Sequence, residues 1–250
     1  MDGVKISVIT ATFNSQSSIR TCIESLNNQT YKNYEHIVID GGSKDGTIEV
    51  LDKYKKNISL LISEPDNGIY DALNKGVLNS TGEIVGFLHS DDFYADKEVL
   101  EFIAKIFEDP LIDGVYGNLE YIHKNDLNKK VRLWKPLIFK LAKLKYGWMP
   151  PHPTLYLRRN CYEKVGGFNL KYKISADYDF VLRLFVLNEF KFFYLNKLMI
   201  KMRTGGVSNR NFRSIIKKSI EDYDILKKNK VGGIITLCLK LTLKIKQFFE

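Results

Sequence analysis

The 250-residue chain predicts an α/β fold: a mostly parallel central sheet with helices on both faces, followed by a helical C-terminal tail. Two patterns carry this expectation. Through residues 1–110, β-branched apolar runs alternate with segments whose apolar residues recur at i, i+3, i+4 and i+7, the rhythm of strand–helix–strand units. In addition, four successive strand ends are polar, Gly-rich or acidic, and in open parallel sheets the carboxyl ends of the strands are where ligands bind.

Val4–Ala11 is a β-branched run that reads as a buried strand. Ser17 and Ser18 can cap a helix built on Ile19, Cys22, Ile23 and Leu26. His36–Ile39 is a second strand ending at Asp40, and after the loop 41–46 Thr47 opens a short helix with Ile48, Leu51 and Tyr54. Ser59–Ile62 is a third strand, and a helix runs from about Tyr70 to Asn79. Ile84–Leu88 is a fourth strand, ending in His89-Ser90-Asp91-Asp92, and Lys97–Phe107 is a helix. Beyond it, Val115–His123, Val131–Trp134, Thr154–Leu157 and Lys191–Met202 read as strands and Asp177–Asn188 as an apolar helix. Leu137–Leu144 alternates apolar residues and lysines at helical spacing. The chain after about Arg213 reads as a helical tail, although LCLKLTLKIK also fits a strand by its strict alternation.

Apolar content of 44% supports a sizeable core, and the net charge of +9 points to an anionic partner. The charge is local. Residues 124–145 hold eight Lys/Arg against one acid, and residues 227–249 hold six Lys and no acid. A uniform nucleic-acid surface fits this poorly. Cys22, Cys161 and Cys238 have no metal-ligand spacing and suit a reducing cytoplasm. There is no signal-peptide pattern and no apolar run of spanning length.

The residues alone leave roles open. Asp91-Asp92 can hold a divalent cation or cap the next helix. Asp40 can accept hydrogen bonds from a nucleoside or serve as a turn residue before Gly41-Gly42. Taken in order, however, VITATFN, VIDGGSKDGT, EPDNGIYDALNKG and GFLHSDDF resemble the family 2 glycosyltransferases of GT-A fold, over roughly residues 4–210. The likeness is to bacterial enzymes that build surface polysaccharide or O-antigen on a lipid carrier.

That resemblance implies a catalytic domain over residues 1–210, with a nucleotide-sugar half to about residue 110 and an acceptor half from 111 to 210; residues 211–250, basic and with Ile234, Leu237, Leu241, Ile245 and Phe248 at helical spacing, read as a tail that lies on an anionic membrane or packs against that domain. It implies donor contacts at Thr10, Phe13, Asn14, Asp40, Asp66, Lys75, Ser90 and Asp91, and Mn²⁺ or Mg²⁺ on Asp92, with Ser90 standing where a fuller acidic triplet has an acid. ISADYDF resembles the family's catalytic-base segment and assigns the base to Asp177, with Ala176 in place of the usual Glu. A positioned carboxylate supplies roughly 10²–10⁴-fold by general base catalysis. His152, between two prolines, is expected on the acceptor side. Arg203 and the segment Gly205-Gly206-Val207-Ser208 are expected near the diphosphate. The implied reaction inverts the sugar in one displacement, moving it from a nucleotide, most readily uridine, to a polyprenyl-diphosphate-linked saccharide at the inner face of the cell membrane. A nucleotidyltransferase would want a basic Gly-rich loop after the first strand, where this chain has Ala-Thr-Phe-Asn. A binding module without catalysis fits poorly beside both Asp92 and Asp177. Oligomeric state has no sequence signal.

Overall fold

The computed structural model describes residues 3–205 and 212–247. Strands β1 (Ile6–Thr12), β2 (Tyr34–Asp40), β3 (Leu60–Ser63) and β4 (Ile84–Phe87) form a parallel half-sheet in the order β3-β2-β1-β4. Helices α1 (Ile19–Asn27), α2 (Thr47–Lys53) and α3 (Ile69–Asn79) connect them. The β-branched runs are buried on both faces. Val8, Val38 and Ile84 join a core layer with Ile19, Cys22, Ile23 and Leu26 of α1 and with Val99, Leu100 and Ile103 of α4 (Val99–Ile106). Their neighbours Ile9, Ile37, Ile39 and Val85 pack the other way, against Ala72 and Leu73 of α3 and Phe180, Val181 and Phe185 of α6 (Ala176–Val186). Period-two alternation therefore feeds two helical layers from one sheet. Two glycines make the packing close: a Cβ on Gly86 would enter the Tyr156 ring, and one on Gly76 would enter the Ile9 side chain.

Beyond β4 the sheet becomes mixed. The remaining strands are β5 (Asp92–Tyr94), β6 (Gly114–His123), β7 (Asp126–Trp134), β8 (Tyr156–Arg158) and β9 (Phe192–Arg203). Short β8 lies antiparallel between β4 and β6; β6 runs parallel to β9; β5 closes the far edge against β9; β7 forms a hairpin with β6. Strand β5 and helix α5 (Arg159–Val165) have no counterpart among the elements expected from the sequence. The segment expected at helical spacing over Leu137–Leu144 is a 3₁₀ turn over Leu141–Tyr146, because Pro136 and the left-handed Leu137 (φ 62°) keep its start irregular.

The C-terminal region is helical, as α7 (Phe212–Lys228) and α8 (Ile234–Lys246). Both pack on the second half of the chain: Ile225, Leu226, Val231 and Leu237 share the core layer of α6. The alternating LCLKLTLKIK segment is part of α8; Leu237, Lys240 and Lys244 follow one another at helical spacing, and Leu237 faces inward. Among the described residues, no helix is long and apolar enough to cross a membrane.

Candidate active site

The strand order reverses direction of growth between β1 and β4, and such switch points open a crevice at the strands' carboxyl ends. The β1 and β4 ends meet there through Ser15 Oγ and Ser90 Oγ, 2.9 Å apart. On the donor side, Phe13 stands 60% exposed at the rim. Asn14 adopts a left-handed backbone (φ 49°) and ties the β1 end to the β2 loop. Its N–H donates to Ser43 Oγ (2.8 Å), and its Oδ1 accepts from Lys44 N–H (2.9 Å).

Asp40 is buried and its acceptors are used internally, taking N–H bonds from Gly42 and Ser43 and hydroxyl bonds from Ser43 and Ser63. It holds the Gly-rich loop in shape. Asp66 accepts from Gly68 N–H (2.8 Å) and closes on Gly41, where a Cβ would stand 2.7 Å from its Oδ2. Lys75 lies on α3 in ion pairs with Glu64 (2.7 Å) and Asp71 (3.8 Å). Thr10 does not open onto the crevice. It is buried under α1, its hydroxyl on His36 Nε2 (3.0 Å) and near Cys22 Sγ. Thr12, one turn of the pleat further, ends β1 with its hydroxyl unpartnered, a polar atom that the sequence reading passed over.

The acidic step divides. Asp92, expected to face the crevice and carry metal, is instead 0% exposed, paired through its backbone with β9, and neither side-chain oxygen has a hydrogen-bond partner. Burial, and then the neighbouring Asp91 charge, push its pKa well above the usual carboxylate range, with Arg203 opposing. Asp91 is the half-buried, reachable carboxylate of the pair. Its backbone carbonyl accepts from Arg203 Nη1 (2.6 Å), which pins the end of β9 over the step. Gly205 is the last residue described before Gly206, Val207 and Ser208, which lie outside the described residues.

Across the crevice, Asp177 sits half-buried in the first turn of α6. Tyr70, at the start of α3, donates its hydroxyl to Asp177 Oδ1 (3.1 Å) and to the Ile174 carbonyl (2.7 Å). Burial and the Asp177 charge hold that phenol protonated far above its ordinary range, so it remains a donor. Asp179, two residues on, is buried in an ion pair with Arg183 (2.8 Å) and takes no part.

The charges of both Asp91 and Asp177 reach His89, at the end of the β4 run. Burial lowers its pKa, while the fields of Asp91 and Asp177 act in the opposite sense. His152 is buried in the Pro-rich 3₁₀ turn His152–Thr154, stacked on Phe87 (5.1 Å) and 5.6 Å from the His89 ring. Burial, then His89, lower its pKa to about 3, so it is neutral at physiological pH. Its place is in the floor beneath His89.

The switch point brings together two half-buried carboxylates, Asp91 and Asp177, whose charges both reach His89. Glycosyl transferase family 2 matches residues 7–167, and the chain belongs to that family of nucleotide-sugar-dependent transferases. It is 28% identical over 208 residues to a PGL/p-HBAD biosynthesis glycosyltransferase of Mycobacterium bovis, covering 81% of this chain and 78% of that one. Solved structures share the fold. S. aureus TarS 1–349 in complex with UDP-GlcNAc matches with a TM-score of 0.71 at 20% identity, over 91% of this chain and 66% of that one; of a longer TarS structure this chain covers 43%. The mannosyltransferase PcManGT from Pyrobaculum calidifontis, in complex with GDP-Man and Mn²⁺, matches with a TM-score of 0.67 at 19% identity, over 97% and 70%. The fold is GT-A.

Proposed function

We propose that the protein transfers a sugar from a uridine-diphosphate donor to a hydroxyl of a lipid-linked saccharide, inverting the anomeric centre in one displacement. The observation that carries this reading is the pair of half-buried carboxylates, Asp91 from the β4 end and Asp177 from α6, flanking His89 at the switch-point crevice. UDP-GlcNAc in the TarS complex supports the donor class, and the mycobacterial relative's role in PGL/p-HBAD biosynthesis supports a lipid-linked acceptor.

Asp177 is the proposed general base. Tyr70 fixes one of its oxygens, leaving the other to accept the acceptor's hydroxyl proton as that oxygen attacks. Phe13 offers an exposed ring to the nucleobase. Asp40 and Asn14 shape the loop around it, and the neighbouring Asp66 closes on Gly41. Arg203, held at the Asp91 carbonyl, places a cation beside the donor diphosphate. Neutral His152 gives the pocket an uncharged floor beneath His89.

A divalent cation fits these residues in one form. Among the described residues no three His, Cys, Asp or Glu side chains form a closed cage. Mg²⁺ and Mn²⁺ accept one or two carboxylates and complete their shell with water and substrate phosphates. Asp91 is the carboxylate that would hold the ion, with buried Asp92 behind it; this exchanges the two roles expected from sequence. Such an ion would neutralise charge on the departing diphosphate. The Mn²⁺ in the PcManGT complex supports a divalent cation as such.

The test is a transfer assay over UDP-, GDP- and dTDP-sugars with and without EDTA. Consumption of a UDP-sugar, lost in EDTA, is expected; no consumption and no thermal shift by any nucleotide sugar would defeat the reading. Asp177→Asn should lower kcat by about 10²-fold or more and leave the UDP Kd within twofold. An active Asp177→Asn enzyme would remove the base assignment.

A further inference from the structure

Between the start of α3 and the loop that joins α5 to α6 lies a cavity of about 180 Å³. Residues 67–70 line one side of it, and Leu170, Tyr172 and Lys173 the other. Its volume is that of about six liquid waters, room for one monosaccharide unit and not for a chain of them. Tyr70 belongs to the cavity and to the proposed base at once: it lines the cavity, and its hydroxyl donates to Asp177 Oδ1 at 3.1 Å. One side chain therefore separates whatever fills the cavity from the group proposed to take the acceptor's proton.

The walls are held from behind. Glu221 accepts from the backbone N–H of Lys173 (3.1 Å), and the buried Tyr172 donates its hydroxyl to Asp224 (2.8 Å). Asn74 of α3 grips the backbone of Phe168 through two hydrogen bonds (2.9 and 2.8 Å), and the Phe168 ring lies 5.6 Å from that of Tyr70. The lining is mixed. Ile69 and Leu170 are large, apolar and exposed. Helix α3 starts at Gly68 with no side-chain cap, which leaves the first-turn N–H groups of Ile69 and Tyr70 as donors. Asn67 and Lys173, both exposed, add a carboxamide and an ammonium.

Such a lining selects its occupant. A lipid chain would strip water from these donors and return no hydrogen bond. A phosphate would gain little from Ile69, Leu170 and two tyrosines. A pyranose ring answers both, with a C–H face for the aromatic and aliphatic side chains and hydroxyls for the polar groups. We infer that this cavity is the subsite for one sugar ring of the acceptor, placed by Tyr70 beside the base. This rests on the transferase reading, and it deepens it: recognition of the acceptor saccharide falls to the start of α3 and the loop before α6.

The test is saturation-transfer NMR on the full chain with Mn²⁺ and saturating UDP. The probes are the methyl glycosides of glucose, galactose, mannose, rhamnose and N-acetylglucosamine, with cyclohexylmethanol as the apolar control. At least one glycoside should bind. Leu170→Trp, which fills the cavity, should weaken it about fivefold or more while the UDP Kd, measured by calorimetry, stays within about twofold. Should Leu170→Trp not fold, Ile69→Ala decides by the same criterion, since it removes a wall at an exposed position. No binding by any glycoside, binding unchanged in the variant, or cyclohexylmethanol binding as tightly as the best glycoside overturns the inference. A glycoside lodged in the donor's own sugar site would be indifferent to both substitutions. Failure of UDP to bind strikes the transferase reading, and the glycoside titration without nucleotide then decides the subsite by itself.

Discussion

At the scale of single residues, coverage by neighbouring elements decides which polar side chains can do chemistry. Thr10 and Thr12 have the same parity on β1 and both are buried, yet the Thr10 hydroxyl meets His36 under α1 and that of Thr12 has no hydrogen-bond partner. A continuous apolar run carries no facing signal, so this difference was not legible in the sequence. The same holds for the acidic step, where β5 pairing with β9 buries Asp92 and leaves Asp91 reachable. Asp91→Asn should therefore abolish metal-dependent UDP binding and lower kcat/KM by about 10²-fold or more, checked by calorimetry with and without Mn²⁺; wild-type binding would show that Asp91 does not hold the ion. His36 gives a stability prediction. Burial lowers its pKa from 6.5 to about 4, so the unfolded chain takes up its proton first as the pH falls. The stability contributed by neutral His36 is complete above pH 6.5 and is lost as the pH drops toward 4, at most roughly 3 kcal/mol for such a shift. Denaturation midpoints should fall across that window and fall less in His36→Gln; identical slopes would exclude His36 as the source.

At the scale of elements, the proposed base is positioned by a helix that the sequence presented as a tail. Glu221 of α7 accepts N–H bonds from Lys173 (3.1 Å), Ile174 (2.9 Å) and Ser175 (2.9 Å), the residues that lead into α6 and set where Asp177 starts. Charge-assisted bonds of this kind fix a backbone more firmly than neutral ones. Glu221→Ala leaves three donors short of an acceptor and should cost about 1–3 kcal/mol. Its sharper signature is kinetic: kcat falls about tenfold or more at unchanged donor KM, and Glu221→Gln recovers part of it. A change confined to melting temperature would make Glu221 a purely structural residue. The parallel strands and α1, α2, α3 and α4 were legible because long periodic segments report burial directly. Three-residue β5 and β8 were not seen at these bounds, since so short a strand has no period and depends on partners far along the chain. In LCLKLTLKIK the alternation gave way to helix because Leu237 has a core to enter at helical spacing.

At the scale of the whole molecule, charge and exposed apolar surface coincide at the 3₁₀ turn Leu141–Tyr146 and at α8, which contact one another. Leu137, Ile138, Leu141 and Tyr146 are exposed around the 3₁₀ turn that contacts α8, with Lys140, Lys143 and Lys145 among them. Ile234, Ile235, Leu241 and Leu243 are exposed on α8 itself. Apolar side chains set among lysines match the boundary of an anionic bilayer, where each Lys near the surface contributes about 1 kcal/mol and the apolar groups add their burial. Such a peripheral attachment would bring the protein to a lipid-borne acceptor. Co-sedimentation with vesicles of phosphatidylglycerol and phosphatidylcholine should show binding that falls as the anionic fraction falls and as salt screens the lysines. Ile138→Asp/Ile235→Asp should reduce it at least fivefold while transfer to a short, water-soluble acceptor continues at the wild-type rate, because neither residue lines the crevice. Equal sedimentation of wild type and variant, or binding indifferent to vesicle charge, would move the apolar rim from membrane attachment to some other contact.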